Sequence, residues 1–171
     1  MKRRLGTVII VLVVAGFAAW QQSSGPTSTE QPAGLDEVVR VVDGDTVELR
    51  DAGKSRLIGV DTPEVFGGQE CFGREASAFA ERVLPQGLQV RVERDVEERD
   101  RYGRTLIYLR LPDGRSFNEL LVTEGFAVVL TVPPNVRHAE RFAELARRAR
   151  ARAAGLWSRG ACDGDPDRPV G

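Results

Sequence analysis

At 171 residues, with 42% hydrophobic and 29% charged side chains, the chain has material for one domain and a short appendage, which excludes a disordered or multi-span membrane protein. A formal net charge of −1 excludes a nucleic-acid binder that works through bulk basicity. Any polyanion must be held locally, by a few arginines or by a metal ion.

In chain order, Lys2, Arg3 and Arg4 precede an uncharged apolar run over residues 5–20. A basic start followed by such a run reads as a signal peptide or N-terminal membrane anchor over 1–20, and positive charge ahead of it keeps the N-terminus inside. Everything after Trp20 is therefore expected outside the cytoplasm, secreted or anchored to the outer face of the membrane through an uncleaved segment. Residues 21–35, rich in Gln, Ser, Thr, Pro and Gly, read as a flexible linker, residues 36–162 as the folded domain, and 163–171 as a tail.

Within the domain, 38–42 and 46–50 are β-branched runs broken by Asp43-Gly44-Asp45, and a hairpin turn at 51–54 leads into a third strand over 56–60. Thr62-Pro63 ends it, since proline removes a ladder donor. Apolar residues at helical spacing predict a helix over 74–84, with Pro85 beyond its end. Strands over 89–96 and 105–110, a short helix over 116–124 stopped by Gly125, and a last helix over 137–153 complete the order βββ–α–ββ–α–α. A five-stranded antiparallel barrel of OB type with three helices, an α+β fold, accommodates that order. Cys71 and Cys162 are the two cysteines, and in an exported chain they are expected to form a disulfide. Closing that loop is worth about 4–5 kcal/mol in the chain-entropy model.

A single histidine, His138, leaves too little for Ser-His-Asp, Cys-His or histidine–metal chemistry, and it opens a helix, where capping or surface packing is expected. No C-x-x-C, G-x-x-x-x-G-K-[ST] or G-x-G-x-x-G is present, so zinc and nucleotide-cofactor motifs are absent. What remains is carboxylate and arginine. Asp43 and Asp45 project to one side of an extended segment, with Gly44 between them allowing close approach. Asp61 and Glu64 form a second acidic group at the end of the third strand. Two carboxylates and a carbonyl, completed by water, suit a hard cation such as calcium. The run Arg147, Arg148, Arg150 and Arg152 reads as a solvated helix face.

V-D-G-D-T (42–46), R-L-I-G-V-D-T-P-E (56–64), F-G-R-E-A-S-A-F (72–79), D-R-Y-G-R (100–104), N-E-L-L-V-T-E-G-F-A (118–127) and G-L-W-S (155–158) stand in the order of the staphylococcal nuclease (thermonuclease-like) family, which the chain resembles over about 38–158. The resemblance implies a Ca²⁺ site on Asp45, Asp61 and the Thr62 carbonyl, with Asp43 behind these ligands. It implies Glu64 as general base or water-orienting group, Arg56 and Arg104 on the phosphate, and Arg101 and Tyr102 lining the nucleotide pocket. The function it implies is a calcium-dependent endonuclease acting on DNA and RNA outside the cytoplasm as a monomer. Two departures stand out: after Phe126-Ala127, where the family's best-known member has tyrosines, the chain reads V-V-L-T-V-P-P (128–134), and the loop after Glu64 is shorter and lacks lysine. A catalytically silent module that binds nucleic acid is the alternative, and a structural envelope protein stabilised by calcium is a third reading.

Overall fold

The computed structural model describes residues 34–65, 70–162 and 165. The expected signal or anchor segment, most of the linker and most of the tail lie outside the described residues. Five strands close into a barrel: β1 (Leu35–Val41), β2 (Thr46–Leu49), β3 (Gly53–Leu57), β5 (Gln89–Glu93) and β6 (Thr105–Arg110), in the ring order β1-β2-β3-β6-β5. Alternation along these strands sends Val38, Val47, Leu49, Leu57, Val90, Ile107 and Leu109 into the interior, each at most 2% exposed. β1 serves two neighbours. Its first half pairs with β5 and its second with β2, and an irregularity between Val38 and Arg40 bends it from one to the other.

The barrel and its three helices are those expected, but the ring is not antiparallel throughout. β3 and β6 run parallel, Arg56 facing Leu106. A parallel pair needs a long crossover, and here the chain leaves β3 through a two-residue strand β4 (Val60–Asp61), helix α1 (Gly73–Val83) and β5 before returning as β6. The third strand expected over 56–60 is in fact two pieces. β4 pairs with β7 (Val128–Val129), a second short strand that the apolar run 128–132 did not disclose.

α2 (Phe117–Glu124) begins where Ser116 accepts a hydrogen bond from the Glu119 amide at 3.2 Å, and Gly125 caps its end. Phe117, Leu121 and Val122 of α2 meet Phe142, Leu145 and Ala146 of α3 (Ala139–Ala151) in the core outside the barrel. Asn118, fully buried, accepts from Leu109 N at 3.0 Å and donates to Ile58 O at 2.9 Å, tying α2 to the strand ends that carry the acidic motif. His138 precedes α3 without a side-chain capping bond; its ring meets Tyr108 edge-on at 4.6 Å.

The strand expected to reach residue 96 stops at Glu93, because the next residues bond to the segment before α3 instead. Asp95 Oδ2 accepts from Tyr108 Oη at 2.9 Å and from Arg137 N at 3.1 Å, and the Asn135 side chain bonds both N and O of Glu97 at 2.8 Å. Burial would raise the Asp95 carboxyl, but the hydrogen bonds from Arg137 and Tyr108 outweigh it and hold it below its ordinary value. A depressed carboxylate contributes stability that is fully present above its unfolded pKa and is lost as pH falls through the folded one. Asp95→Asn is therefore expected to cost about 1–3 kcal/mol at neutral pH, and urea unfolding should show that deficit shrinking toward acid pH. A deficit independent of pH would contradict the assignment.

Candidate active site

The turn between β1 and β2 is built by Thr46 O, which accepts from Val42 N at 2.9 Å and Asp43 N at 3.2 Å. Asp43 Oδ1 then accepts from Asp45 N at 3.2 Å, which aims the Asp45 side chain inward. Gly44 lies against Thr62: a Cβ there would sit 2.6 Å from Thr62 Oγ1, so only glycine lets the two acidic motifs touch. Asp45, 5% exposed, accepts at Oδ2 from Thr62 N at 2.7 Å and Thr62 Oγ1 at 3.0 Å.

Arg56 faces Thr46 across the β2–β3 ladder and points to the same place. Its Nη1 is in ion-pair contact with Asp45 Oδ1, without the alignment of a hydrogen bond, and its Nη2 donates to Asp61 Oδ1 at 2.5 Å. Two carboxylates thus share one guanidinium. Its side chain is 13% exposed, that of Asp45 7% and that of Asp61 45%, so the cluster opens to solvent on the Asp61 side. Burial pulls Arg56 below its ordinary value, Asp61 opposes, and the positive charge of Arg104 adds to the downward pull. The guanidinium stays charged nonetheless.

Glu64 follows Pro63 on the exposed side, and its carboxylate makes no hydrogen bond among the described residues. Burial, and after it the negative charge of Asp43, push its carboxyl above the ordinary value against the pull of Arg56. Its amide donates to Glu70 Oε2 at 2.7 Å. Arg104 is held from behind: Asp100 accepts its Nε at 2.7 Å and its backbone N at 2.9 Å. That leaves Nη1 and Nη2 of Arg104 without a protein acceptor among the described residues. Burial would raise Asp100, but the hydrogen bonds from Arg104 and Tyr102 outweigh it and keep it ionised below its ordinary value. Tyr102, 68% exposed, carries the Arg101 guanidinium 4.8 Å and that of Arg104 5.5 Å from its ring centre, a cationic and aromatic surface.

Of the residues singled out from sequence, Asp45 and Asp61 contact Arg56, the charges of Asp43 and Arg104 act on it, and Arg101 and Tyr102 lie beside Arg104. Cys71 and Cys162 form the expected disulfide, with Cα atoms 5.7 Å apart. The sequence reading missed Asp100 and Glu70, which orient Arg104 and the Glu64 backbone. The four-residue spacing of Asp100 and Arg104 within D-R-Y-G-R was the available signal; nothing in the sequence marks Glu70.

Among the described residues no group of three or more His, Cys, Asp and Glu side chains gathers as a metal site. The donor chemistry nevertheless fits a hard cation. Asp45 and Asp61 already converge on a positive charge, and the Thr62 carbonyl follows directly on Asp61.

A family model described as staphylococcal nuclease homologue matches residues 54–159, a span that holds Arg56, Asp61, Thr62, Glu64 and Arg104. Thermonuclease from Staphylococcus hyicus is 35% identical over 161 residues, covering 88% of this chain and 94% of that protein. Thermonuclease from Staphylococcus intermedius is 34% identical over 164 residues, covering 91% and 94%. The endonuclease YncB of Bacillus subtilis (strain 168) is 34% identical over 128 residues, 70% of this chain and 60% of its own length. With the family model matching more than half of the chain and relatives 34–35% identical over most of its length, the chain belongs to the staphylococcal nuclease family.

Proposed function

We propose that this chain is a calcium-dependent endonuclease that hydrolyses phosphodiester bonds of DNA and RNA outside the cytoplasm. The observation that carries the reading is the shared guanidinium: Asp45 and Asp61 brought to one point, with the Glu64 carboxylate and the Arg104 Nη groups, unpartnered among the described residues, close enough for their charges to act on or feel Arg56. The names of the thermonuclease and endonuclease relatives support the same class of reaction.

Hydrolysis needs a base for water, donors for the phosphoryl oxygens and a way to neutralise developing charge. Glu64 takes the proton of the attacking water as its oxygen bonds to phosphorus. The P–O bond to the departing 5′ oxygen breaks, leaving a 3′-phosphate end, and that oxygen takes a proton from solvent. Arg104 offers Nη1 and Nη2 as a planar fork to two equatorial oxygens. Arg56 holds the carboxylates in place and adds to the positive field. Asp45, Asp61 and the Thr62 carbonyl are the groups that would hold calcium, with Asp43 behind them; bound there, the ion supplies Lewis-acid polarisation of the phosphate and orients water. Arg101 and Tyr102 provide a cationic, aromatic surface for the nucleotide.

The basic-then-apolar segment over residues 2–20 and the disulfide, which persists in oxidising compartments, support the extracytoplasmic part of the reading. Single-stranded DNA incubated with the full chain and saturating Ca²⁺ is expected to be cut, with the activity found in the medium or membrane fraction. Chelator should abolish it. Cleavage that ignores chelator would remove calcium from the reading. Binding without cleavage would establish the silent nucleic-acid module in its place.

A further inference from the structure

Glu64 is gripped through its backbone. Its N–H donates to Glu70 Oε2 at 2.7 Å, and its carbonyl accepts from Glu70 N at 3.0 Å. From below, the first residue of α1 presses on the same peptide: a Cβ on Gly73 would lie 2.6 Å from Glu64 O and 3.0 Å from Pro63 O. Glu70 O in turn accepts from Gly73 N at 3.2 Å. The residue after Glu70 is Cys71, bonded to Cys162, 91 residues further on, which is fully buried in the turn after the short helix η1 (Gly155–Trp157). The grip on Glu64 is thus anchored to the far end of the chain by a covalent bond.

We propose that Glu70 is a positioning residue for Glu64 and that the Cys71–Cys162 disulfide locks this brace, so that full turnover requires the oxidised chain. This rests on Glu64 being the general base. A base acts only when its carboxylate is held within hydrogen-bond reach of the attacking water, and small displacements are costly. α1 is held by contacts that do not involve the bridge: Ala76 and Ala80 are buried, and Phe79 stacks on Phe117 and Phe126. The expected change is therefore local to the brace rather than a loss of the fold. Cys71 is half-buried, so a reductant reaches the bridge from its side. A dithiol gives up two electrons and two protons, closing to its own cyclic disulfide as both cysteines become thiols. Before export, in a reducing compartment, the chain is then a poor nuclease.

The test compares the full chain oxidised and in dithiothreitol, at saturating Ca²⁺, with folding followed by circular dichroism and tryptophan fluorescence. Reduction is expected to lower kcat about 10- to 100-fold with KM changed less than about twofold, and reoxidation to restore it. A reduced, folded chain with full kcat would overturn the proposal. If reduction unfolds the chain, the oxidised Glu70→Ala variant decides: it should lose kcat to a similar extent, and Glu70→Gln, which retains an oxygen acceptor for the Glu64 amide, should recover most of it. An unchanged kcat in Glu70→Ala overturns the brace. Failure of the underlying reading looks different, as an oxidised wild type that cuts nothing or a Glu64→Gln variant that cuts normally.

Discussion

Arg104→Ala is expected to lower kcat about 10²–10³-fold with the fold intact, the usual cost of losing one preorganised donor to a developing oxyanion. The side chain is 27% exposed and its ion-pair partner is Asp100, so urea unfolding of the same variant separates any stability cost from the loss of rate. Its fixed geometry is what is lost. With Nε and the backbone N–H committed to Asp100, the guanidinium plane is set before substrate arrives and both Nη groups are free for phosphate. Lysine restores charge but not the fork, and Arg104→Lys should recover only a small part of the rate. Glu64→Gln, which removes the proton acceptor and keeps the shape, belongs with it at about 10²–10⁴-fold. Single-turnover cleavage of a labelled oligonucleotide checks all three; wild-type rates in either Arg104→Ala or Glu64→Gln would sink the proposed mechanism.

Asp45→Ala is expected to act on stability as well, by about 3–5 kcal/mol, because removing one partner of a buried ion pair leaves the other charge uncompensated. Arg56 would keep only Asp61, itself half in solvent, and the Thr62 amide would lose its acceptor. Asp45→Asn should cost less, since an amide oxygen can still accept from Thr62. Urea unfolding in chelator isolates this contribution from any metal effect. Equal stability of Asp45→Ala and wild type would show that the shared guanidinium does not hold the two motifs together.

The barrel and the acidic cluster were legible in the sequence for a common reason. Each depends on residues close in the chain: alternation within 46–50 and 105–110, and carboxylates two or three positions apart in D-G-D and D-T-P-E. What sequence did not disclose depends on distant partners. The run 56–60 looks continuous, yet Val60 and Asp61 leave the barrel to pair with Val129 and Val128. The expectation of an antiparallel ring failed where β3 meets β6, since strand order around a barrel is a property of the crossover and not of either strand. Glu70 was unremarked because its side chain takes a backbone amide, which every residue carries, and Asp95 because its partners, Tyr108 and Arg137, lie 13 and 42 residues away.

The parallel seam between β3 and β6 also governs how the molecule can be assembled as it emerges. Synthesis from the N-terminus delivers β1, β2 and β3 first, and that meander has two raw edges: β1, which awaits β5, and β3, which awaits β6. Unpaired edges invite strands from other chains. β5 covers the β1 edge but presents its own, and only β6, complete at Arg110, seals β3 and β5 together. The folding domain is therefore most vulnerable to mispairing until β6 is delivered, and a chain truncated between β5 and β6 would keep two sticky borders, β3 and β5, permanently.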